Sequence, residues 1–200
     1  NPLILSESGE LKRHSWNLRR LDAGHLKLLN WSLEDARERR AQGKLLPSVY
    51  AHGGSFMVRK SMFLDLGGFH PIFKPFYGED YDLGLRAWRR GWASYFEPNV
   101  SITHQSVGSI RAHVKMRLVK RTRRRNRYLL EWIHFSIPQL IFRSLPYTLV
   151  QLAGELVTFD FVNLKGFYLA VLKFSEVIDA RKQLKSDKVT SLSKILEKIS

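Results

Sequence analysis

The chain has 200 residues, of which 44% are hydrophobic and 12% aromatic, so it can form a packed domain with an appendage, and global disorder is excluded. It contains no cysteine, which excludes a disulfide scaffold and any thiolate metal site and suits the cytoplasm. The formal net charge of +15 favours a polyanionic partner such as nucleic acid, an anionic lipid surface or nucleotide phosphates.

The N-terminal segment carries mainly structural signals. A short strand is predicted at Leu3–Leu5. Leucines at three- and four-residue spacing between residues 26 and 33 predict an irregular segment that leads into one helix ending near Gly43. The chain starts at Asn1 without a leader sequence, so we expect a fragment or a processed chain.

The next segment contains a pair of adjacent glycines. The apolar run Ser55–Val58 follows Gly53 and Gly54 and predicts a buried strand, and Lys60–Leu66 predicts a short helix. Taken alone, the glycine pair favours a tight turn over a loop that lets a ligand approach the backbone, although both uses exploit the missing side chain.

The most informative stretch concentrates negative charge in a basic chain. Three of the 18 acids, Glu79, Asp80 and Asp82, lie within four residues. The prolines before them predict a loop, and apolar residues at three- and four-residue spacing predict an amphipathic helix over Glu79–Arg90. Because Asp82 and Arg86 stand four residues apart and can pair on one face, Asp82 is interpreted as structural.

Glu79 and Asp80 lie where the predicted loop joins the helix. At that junction the helix dipole and the unpaired N–H groups favour ionised carboxylates, the state that a general base or a metal ligand requires. Taken alone, however, two acids at a helix start are more often ordinary N-terminal residues. The residues themselves leave both roles open.

Two short strands are predicted next, at Ala93–Phe96 and Val100–His104. His104 ends the second strand. A lone histidine is usually a hydrogen-bonded structural residue, but its position two dozen residues after the carboxylate pair makes it a candidate metal ligand.

The C-terminal part combines a basic block with apolar helices. Residues 111–127 hold nine Lys or Arg, and no acid occurs between Pro98 and Leu130. Cations all around a helix predict that no complete face of it is buried. Residues 128–200 have a helical pattern, and the uncharged stretch Ser144–Gly154 is too short to span a bilayer and suits in-plane membrane contact or packing on the preceding domain.

Several of these features occur together in a fixed order. They are Gly53-Gly54, Phe56–Arg59, Leu66–Phe69, Tyr77–Leu83 with Arg86, Gly91-Trp92, Glu97-Pro98 and His104. This series closely resembles the C-terminal half of inverting family 2 glycosyltransferases with the GT-A fold, well over residues 45–130 and loosely elsewhere. The number of elements in order outweighs the purely structural interpretation of the acidic pair and the paired glycines.

The resemblance implies an α/β fold. Residues 1–127 would form the C-terminal, acceptor-side part of the GT-A domain, and residues 128–200 a helical extension that lies peripherally on a membrane. The implied activity is transfer of a single sugar, with inversion, from a nucleotide-diphosphate sugar to a hydroxyl of a glycan or lipid-linked acceptor, as in cell-surface polysaccharide synthesis. The implied location is the cytoplasm or the inner face of the plasma membrane.

The resemblance also assigns roles to residues. Asp80 would be the general base, Glu79, Gly53 and Gly54 would bind the acceptor and substrate, and His104 would be a ligand of Mg²⁺ or Mn²⁺. A sugar hydroxyl is a poor nucleophile, so a carboxylate must accept its proton, and the leaving nucleoside diphosphate needs a cation.

Three departures from the family pattern matter. The upstream nucleotide-binding half with its Asp-x-Asp metal motif is missing, so we expect the chain alone to be inactive. His70 and Pro71 occupy the place where an acid usually follows the Gly-Gly-Phe element. The Gln-x-x-Arg-Trp signature of processive synthases is also missing, which favours single-sugar transfer.

Two other classes of protein remain alternatives. The basic block 111–127 could bind nucleic acid, but it lacks zinc ligands and interleaved stacking aromatics, so we expect no nucleic-acid partner. A peripheral membrane protein without catalysis would use the same block together with the helices at 138–174. Cations near anionic lipid are compatible with both that protein and a transferase acting on lipid-linked acceptors.

Overall fold

The computed structural model describes residues 1–105, 114–159, 161–185 and 190–199. A small mixed sheet with helices forms the N-terminal part, and a helical part follows it, which confirms the predicted α/β fold class. The strands are β1 (Pro2–Leu5), β2 (Arg19–Asp22), β3 (His25–Leu28), β4 (Leu46–Ser48) and β5 (Ser94–Thr103). The helices of the N-terminal part are α1 (Leu33–Ala41), α2 (Lys60–Asp65) and α3 (Glu79–Arg89), with single 3-10 turns at Arg13–Ser15 and Pro71–Phe73.

The helical part begins with the basic block. Its helices are α4 (Met116–His134), α5 (Ile137–Gln139), α6 (Leu145–Thr158), α7 (Val162–Val171), α8 (Phe174–Lys185) and α9 (Leu192–Glu197), with a π-helical turn at Leu140–Ser144 between α5 and α6. Within the described ranges, no helix is both long enough and apolar enough to cross a membrane. α4 runs without a break through residues 127 and 128, and the division into domains at that point stays a prediction.

The three-stranded sheet has the order β1-β5-β4. β5 runs parallel to β1 and antiparallel to β4. The two predicted strands at 93–96 and 100–104 are therefore one strand, and this part of the prediction is wrong. The register shifts between Pro2, opposite Glu97, and Leu3, opposite Ser101. This irregularity accommodates Pro98, which has no N–H for a ladder bond, inside the strand.

The segment around residues 19–28 is also not as predicted. β2 and β3 form an antiparallel hairpin, and its turn residues Ala23 and Gly24 both have positive φ. This turn twists in the sense that suits a two-residue hairpin, so strand pairing overrides the helical spacing of the leucines. The predicted helix is confirmed further on as α1, which Ser32 caps by accepting a bond from the Asp35 amide.

The predicted buried strand at Ser55–Val58 is an exposed loop. The side chain of Met57 is 97% exposed, and these residues belong to no strand. By contrast, α2 and α3 match the helices predicted at 60–66 and 79–90 to within one residue at each end.

A continuous stripe of α4 is buried, contrary to the prediction for the basic block. Val119, Thr122, Asn126, Leu129 and Ile133 recur at three- and four-residue spacing and all lie in the interior. Between them, Lys120, Arg123 and Arg124 are exposed, and Arg121, Arg125 and Arg127 are partly buried. α7 packs closely on α4 because Gly166 has no side chain, since a Cβ there would lie 2.6 Å from the Arg124 Cβ.

A buried ion network fixes α3 to its surroundings. Asp82 is fully buried, receives a bond from Arg86 Nε at 2.7 Å, and lies 2.9 Å from His134 Nε2 on α4. Burial alone would raise the pKa of Asp82, but the His134 hydrogen bond and the Arg86 charge outweigh it and hold that pKa below its usual value. The predicted Asp82–Arg86 pair is therefore confirmed.

Replacing Asp82 should test this network. In Asp82→Ala, Arg86 and His134 lose their shared partner in the interior, which should lower the free energy of unfolding by about 3–5 kcal/mol at neutral pH. Urea denaturation measures the change. Asp179→Asn, in an exposed pair with Lys182, is the matched control and should change stability little. An Asp82→Ala protein as stable as the control would contradict the role.

Glu131 is a second buried acid on α4. Its carboxylate accepts a bond from the Ser144 hydroxyl at 3.0 Å, and the nearest cation, Arg127, is 3.8 Å away. Burial raises the pKa of Glu131 to about 7, and these two neighbours offset only part of that shift. Folding therefore opposes ionisation of this group.

The consequence is a pH dependence of stability. Because the folded-state pKa lies above the unfolded value of 4.5, the ionised carboxylate destabilises the fold increasingly as the pH rises from about 4.5 to 7. Glu131→Gln removes that penalty and should raise the urea midpoint, relative to the unchanged protein, more at pH 8 than at pH 5. An equal difference at both pH values would contradict the buried-acid interpretation.

Candidate active site

The site is built on the loop that leads into α3. The chain turns at Tyr77 and Gly78, both with positive φ, and Gly78 is the residue before the helix. A Cβ at Gly78 would lie 3.4 Å from the Phe73 ring and 3.7 Å from the Asn126 Cβ, so the turn is closely packed from inside. The left-handed conformation and this packing explain the glycine. Asp80 then falls in the first turn of α3.

Asn126 holds this loop in place from α4. Its side-chain amide nitrogen lies 2.7–2.9 Å from the carbonyl oxygens of Phe73, Phe76 and Tyr77, and its oxygen accepts a bond from Arg125 Nε at 2.8 Å. The contacts to Phe73 and Phe76 are buried and satisfy carbonyl groups that water does not reach, and the contact to Tyr77 is partly buried. The amide of one residue therefore fixes the backbone that precedes Asp80.

α3 approaches the segment before the paired glycines very closely. A Cβ at Gly84 would lie 2.4 Å from the Tyr50 Cβ and 2.8 Å from the Val49 carbonyl oxygen, so no larger residue fits. The rings of Tyr50 and Tyr81 stack at 4.5 Å, and the Arg19 guanidinium lies 5.4 Å from the Tyr81 ring centre. This packing brings the first turn of α3 next to residues 51–54.

The close packing of α3 against residues 49–50 brings two of the predicted site residues, Gly53 and Asp80, into contact. The Gly53 N–H donates to Asp80 Oδ2 at 3.0 Å, across 27 residues of sequence, and the Tyr81 N–H donates to Oδ1 at 2.8 Å. The two bonds fix the orientation of the carboxylate. Gly54 lies beside them, and its N–H donates to His52 Nδ1 at 3.4 Å. Asp80 is thus an oriented carboxylate at the exposed glycine loop.

Glu79 occupies a different environment from its neighbour. Its side chain is partly buried, and of its atoms Oε2 has no hydrogen-bond partner among the described residues. Burial, and then the nearby Asp80 charge, raise the pKa of Glu79. The Oε2 oxygen is buried and has unused bonding capacity, so it can accept a hydrogen bond from a group that reaches it.

Three histidines line the other side of the glycine loop. The ring centres of His14 and His52 are 5.0 Å apart, and those of His52 and His104 are 5.7 Å apart. Burial, and then the neighbouring histidines, lower the pKa of His14 to about 4, and burial lowers that of His52 although Asp80 opposes the shift. His14 is therefore uncharged at neutral pH, and its ring can accept a hydrogen bond or ligate a metal.

His14 and His52 were missed at the sequence level. His52 had a usable signal, because it directly precedes the glycine pair whose loop was assigned to the site. His14 had none, since it reaches the site from the 3-10 turn after β1 and only the tertiary fold reveals it.

The described residues do not by themselves form a metal centre. No group of three or more His, Asp or Glu side chains in the described ranges is arranged to hold an ion. His104 stands at the end of β5, where its backbone N–H donates to the Leu5 carbonyl, and its ring contacts His52. Its role as a metal ligand therefore stays a prediction.

A cavity of about 290 Å³ opens beside Asp80, close to the lower end of the range for small-molecule sites. Its walls are mostly apolar and aromatic and include Phe56, Val58, Trp92 and Tyr95. The loop predicted as a buried strand thus forms a wall of this cavity. A pocket lined by apolar residues and one oriented carboxylate can bind a small molecule and accept a proton from it.

Comparison with known families agrees with this geometry. A family model described as "Glycosyl transferase family group 2" matches residues 21–175, more than three quarters of the chain. The match includes Gly53, Gly54, Glu79, Asp80 and His104. The chain therefore belongs to this family of glycosyltransferases.

Two curated relatives, from two strains of Mycobacterium tuberculosis, are both named N-acetylglucosaminyl-diphospho-decaprenol L-rhamnosyltransferase. Each is 33% identical to this chain over 73 residues. The alignment covers 36% of this chain and 24% of each relative. The chain thus spans about a quarter of the length of the curated relatives it matches.

The Asn126 contacts can be tested directly. Asn126→Ala leaves up to three buried carbonyl groups without their donor and should lower the free energy of unfolding by roughly 2 kcal/mol or more. Hydrogen exchange at the amides of residues 76–81 should accelerate more than exchange in β5. Asn99→Ala, at an exposed position in β5, is the control and should change neither quantity. Unchanged exchange at residues 76–81 would contradict the assignment.

Proposed function

We propose that the chain is the acceptor-side part of an inverting glycosyltransferase that transfers one sugar from a nucleotide-diphosphate sugar to a hydroxyl group. The observation that carries the proposal is the position of Asp80. Its carboxylate is held by the Gly53 and Tyr81 amides at the mouth of an apolar cavity, in a chain of glycosyl transferase family group 2. Such a carboxylate can accept a proton from an attacking hydroxyl.

The proposed step is a direct displacement. The acceptor oxygen forms a bond to the anomeric carbon of the donor as the bond from that carbon to the diphosphate oxygen breaks. The hydroxyl proton passes to Asp80, and the bonding electron pair leaves with the nucleoside diphosphate. Attack from the side opposite the leaving group inverts the anomeric configuration, and the amides that orient Asp80 keep it in place during the attack.

Glu79, Gly53 and Gly54 are proposed to bind the acceptor and substrate. Glu79 directly precedes Asp80, and its buried Oε2 has no partner among the described residues, so a second acceptor hydroxyl that reached it would find an unused hydrogen-bond acceptor. The glycine loop is exposed, so a sugar can approach its backbone without side-chain clashes. In this arrangement Glu79 positions the acceptor and Asp80 deprotonates it.

A divalent cation, Mg²⁺ or Mn²⁺, would neutralise the charge of the leaving diphosphate. Among the described residues, His104 is the proposed ligand, and it offers one imidazole. The remaining ligands of such a site would have to come from the donor or from groups other than these. Removal of Asp80 is therefore expected to affect proton transfer from the acceptor, and removal of the cation to affect departure of the diphosphate.

The acceptor is proposed to be lipid-linked. The relatives named above transfer L-rhamnose to a sugar attached through a diphosphate to decaprenol, according to their names. A glycan without a lipid remains the other acceptor class, and the donor sugar is not assigned. The proposed location is the cytoplasm or the cytoplasmic membrane surface, where a lipid-linked acceptor is accessible.

Nucleic-acid binding by the basic block is the weaker alternative. Several of its cations have partners inside the protein: Arg125 donates to the Lys74 carbonyl, Arg127 to Gln151 at 2.6 Å, and Arg123 lies 4.3 Å above the Tyr77 ring. Cations used in this way contribute less to a phosphate-binding surface than a solvated row would.

The decisive substitution is Asp80→Asn in the complete polypeptide that carries this chain. Asparagine preserves the shape but cannot accept the proton, so single-turnover transfer should fall by roughly 10²- to 10⁴-fold. Calorimetric binding of the nucleotide sugar should stay within about twofold. Asp65→Asn, at the exposed end of α2, is the control. Transfer at close to the normal rate in Asp80→Asn would show that this residue is not the base.

A further inference from the structure

Helix α6 exposes its apolar side and buries its polar side. The buried residues of α6 are Thr148 and Glu155, and Ser144 just before it is buried as well. On the opposite side, five large apolar residues are 48–79% exposed: Leu145, Leu149, Val150, Leu156 and Val157. A helix on the surface of a globular protein normally has the reverse arrangement. These five residues are called the apolar face.

Elements next to α6 in the chain also expose large apolar residues. Phe142 is 76% exposed before α6, and Phe159 is 79% exposed directly after it. Tyr168 on α7 and Leu172 after it are each 61% exposed. Exposed apolar residues scattered singly need no explanation, but a helix side together with its flanking residues is typical of an interaction surface.

A basic pocket adjoins the end of this face. Lys120, Arg123, Arg124 and Arg127 of α4 line a cavity of about 410 Å³, together with Glu155 and two residues at the start of α7. Glu155 directly precedes Leu156 of the apolar face. The pocket therefore lies at the C-terminal end of α6, on the side of the helix that faces α4, and the apolar residues Leu156 and Val157 lie at the same end of α6.

The charge of the pocket is dominated by its cations. Glu155, the acid in its lining, accepts the Asn163 and Leu164 amide bonds, both at 2.7 Å, and so caps the N-terminus of α7. Arg127 pairs with Glu131 and Gln151, and Arg123 lies over Tyr77. Lys120 and Arg124 are exposed. An oxyanion in the pocket would therefore meet Lys120 and Arg124, and the Glu155 carboxylate would stay on the α7 amides.

We propose that the apolar face and the basic pocket together bind an anionic bilayer surface, with α6 lying in the membrane plane. The apolar face enters the boundary between headgroups and acyl chains, and the pocket holds a phospholipid phosphate. At the surface of an anionic bilayer, negatively charged headgroups lie within a few ångströms of the apolar acyl chains. Apolar side chains near a cluster of cations match this arrangement. A protein partner would require an acidic group beside an apolar surface, and a free phosphate would leave the apolar face uncovered.

This surface deepens the proposed function, because it would bring the site to the membrane that holds a lipid-linked acceptor. Arg123 connects the two: it lines the pocket and lies over Tyr77, three residues before Asp80. The inference rests on the proposed function only for the reason why the chain would bind a membrane. Its test measures membrane binding and needs no catalysis, so failure of one is distinguishable from failure of the other.

The first test is flotation of the 200-residue chain with vesicles of phosphatidylcholine alone or with 30 mol% phosphatidylglycerol. We expect binding to the anionic vesicles, and a fall in apparent affinity of roughly tenfold or more for Lys120→Gln/Arg124→Gln. Arg37→Gln/Arg39→Gln, on exposed positions of α1, removes the same charge and should change affinity by less than threefold. Equal binding to both vesicle types, or equal effects of the two variants, would overturn the proposal.

The second test places a reporter on the apolar face. Because the chain has no cysteine, Val157→Cys and Leu45→Cys each give one labelling site, and both positions are largely exposed. A polarity-sensitive dye at position 157 should shift to the blue with anionic vesicles, and a dye at position 45 should not. Because both variants replace exposed side chains, circular dichroism should show unchanged folding. No shift at 157 would overturn the proposal.

Two further outcomes would identify a different occupant and so overturn the proposal. One is self-association in solution, seen by light scattering and abolished by Val150→Ser/Val157→Ser, which would assign the face to a second copy of the chain. The other is calorimetric binding of inorganic phosphate that is lost in Lys120→Gln/Arg124→Gln while vesicle binding is unaffected, which would assign the pocket to a soluble anion.

Discussion

The side-chain amide of Asn126 is the contact on which the site depends. Three carbonyl groups of the loop before α3 converge on it, and no other described side chain bonds to more than one of them. The loop includes two residues with positive φ, so its conformation needs support from outside itself. Asn126 supplies this support from the buried stripe of α4. A helix that looks like a simple basic segment in sequence thus determines the position of Asp80 in the first turn of α3.

Two constraints then set the position and orientation of α3. The missing side chain at Gly84 lets the helix touch the Tyr50 backbone, and the Asp82–Arg86–His134 network ties it to α4 and to the loop after α2. The first brings Asp80 to the Gly53 amide, and the second prevents the helix from sliding. Of the three clustered acids, Asp82 is therefore bound into the interior as an ion pair, and Asp80 is oriented by two amides. Glu79 has one buried oxygen without a partner among the described residues.

Sequence patterns were informative where the cause is local. The amphipathic helix α3, the Asp82–Arg86 pair at i,i+4 and the strand at residues 3–5 follow from periodicity and neighbouring residues. The ordered family motifs assign Gly53 and Asp80 to the same site, and the fold places them in contact. Those motifs did not include His14, and nothing local marks Asn126 as a loop anchor, because its three partners lie about 50 residues away.

The incorrect predictions likewise concern features that depend on contacts distant in sequence. Leu26 lies in β3 because a two-residue turn pairs this segment with β2, although Leu33 of the same spacing begins α1 as predicted. The run Ser55–Val58 pairs with no strand among the described residues, and its side chains line the cavity. The basic helix buries a stripe because its small and apolar residues share one side, which a count of charges does not reveal. The sequence of α6 already contains both apolar and polar residues. Only the structure shows that the polar side of this helix faces the interior and the apolar side faces outwards.

The central claim is that Asn126 sets the backbone that presents Asp80 to the Gly53 amide. Amide proton shifts measured by NMR during acid titration test it most directly, because a carboxylate that loses its charge weakens the bonds it accepts. The account predicts that the Gly53 and Tyr81 amide signals move together through one transition, that Asp80→Asn abolishes it, and that Asn126→Ala uncouples the two signals. A Gly53 amide that does not respond to pH, or two signals that still move together in Asn126→Ala, would contradict the account.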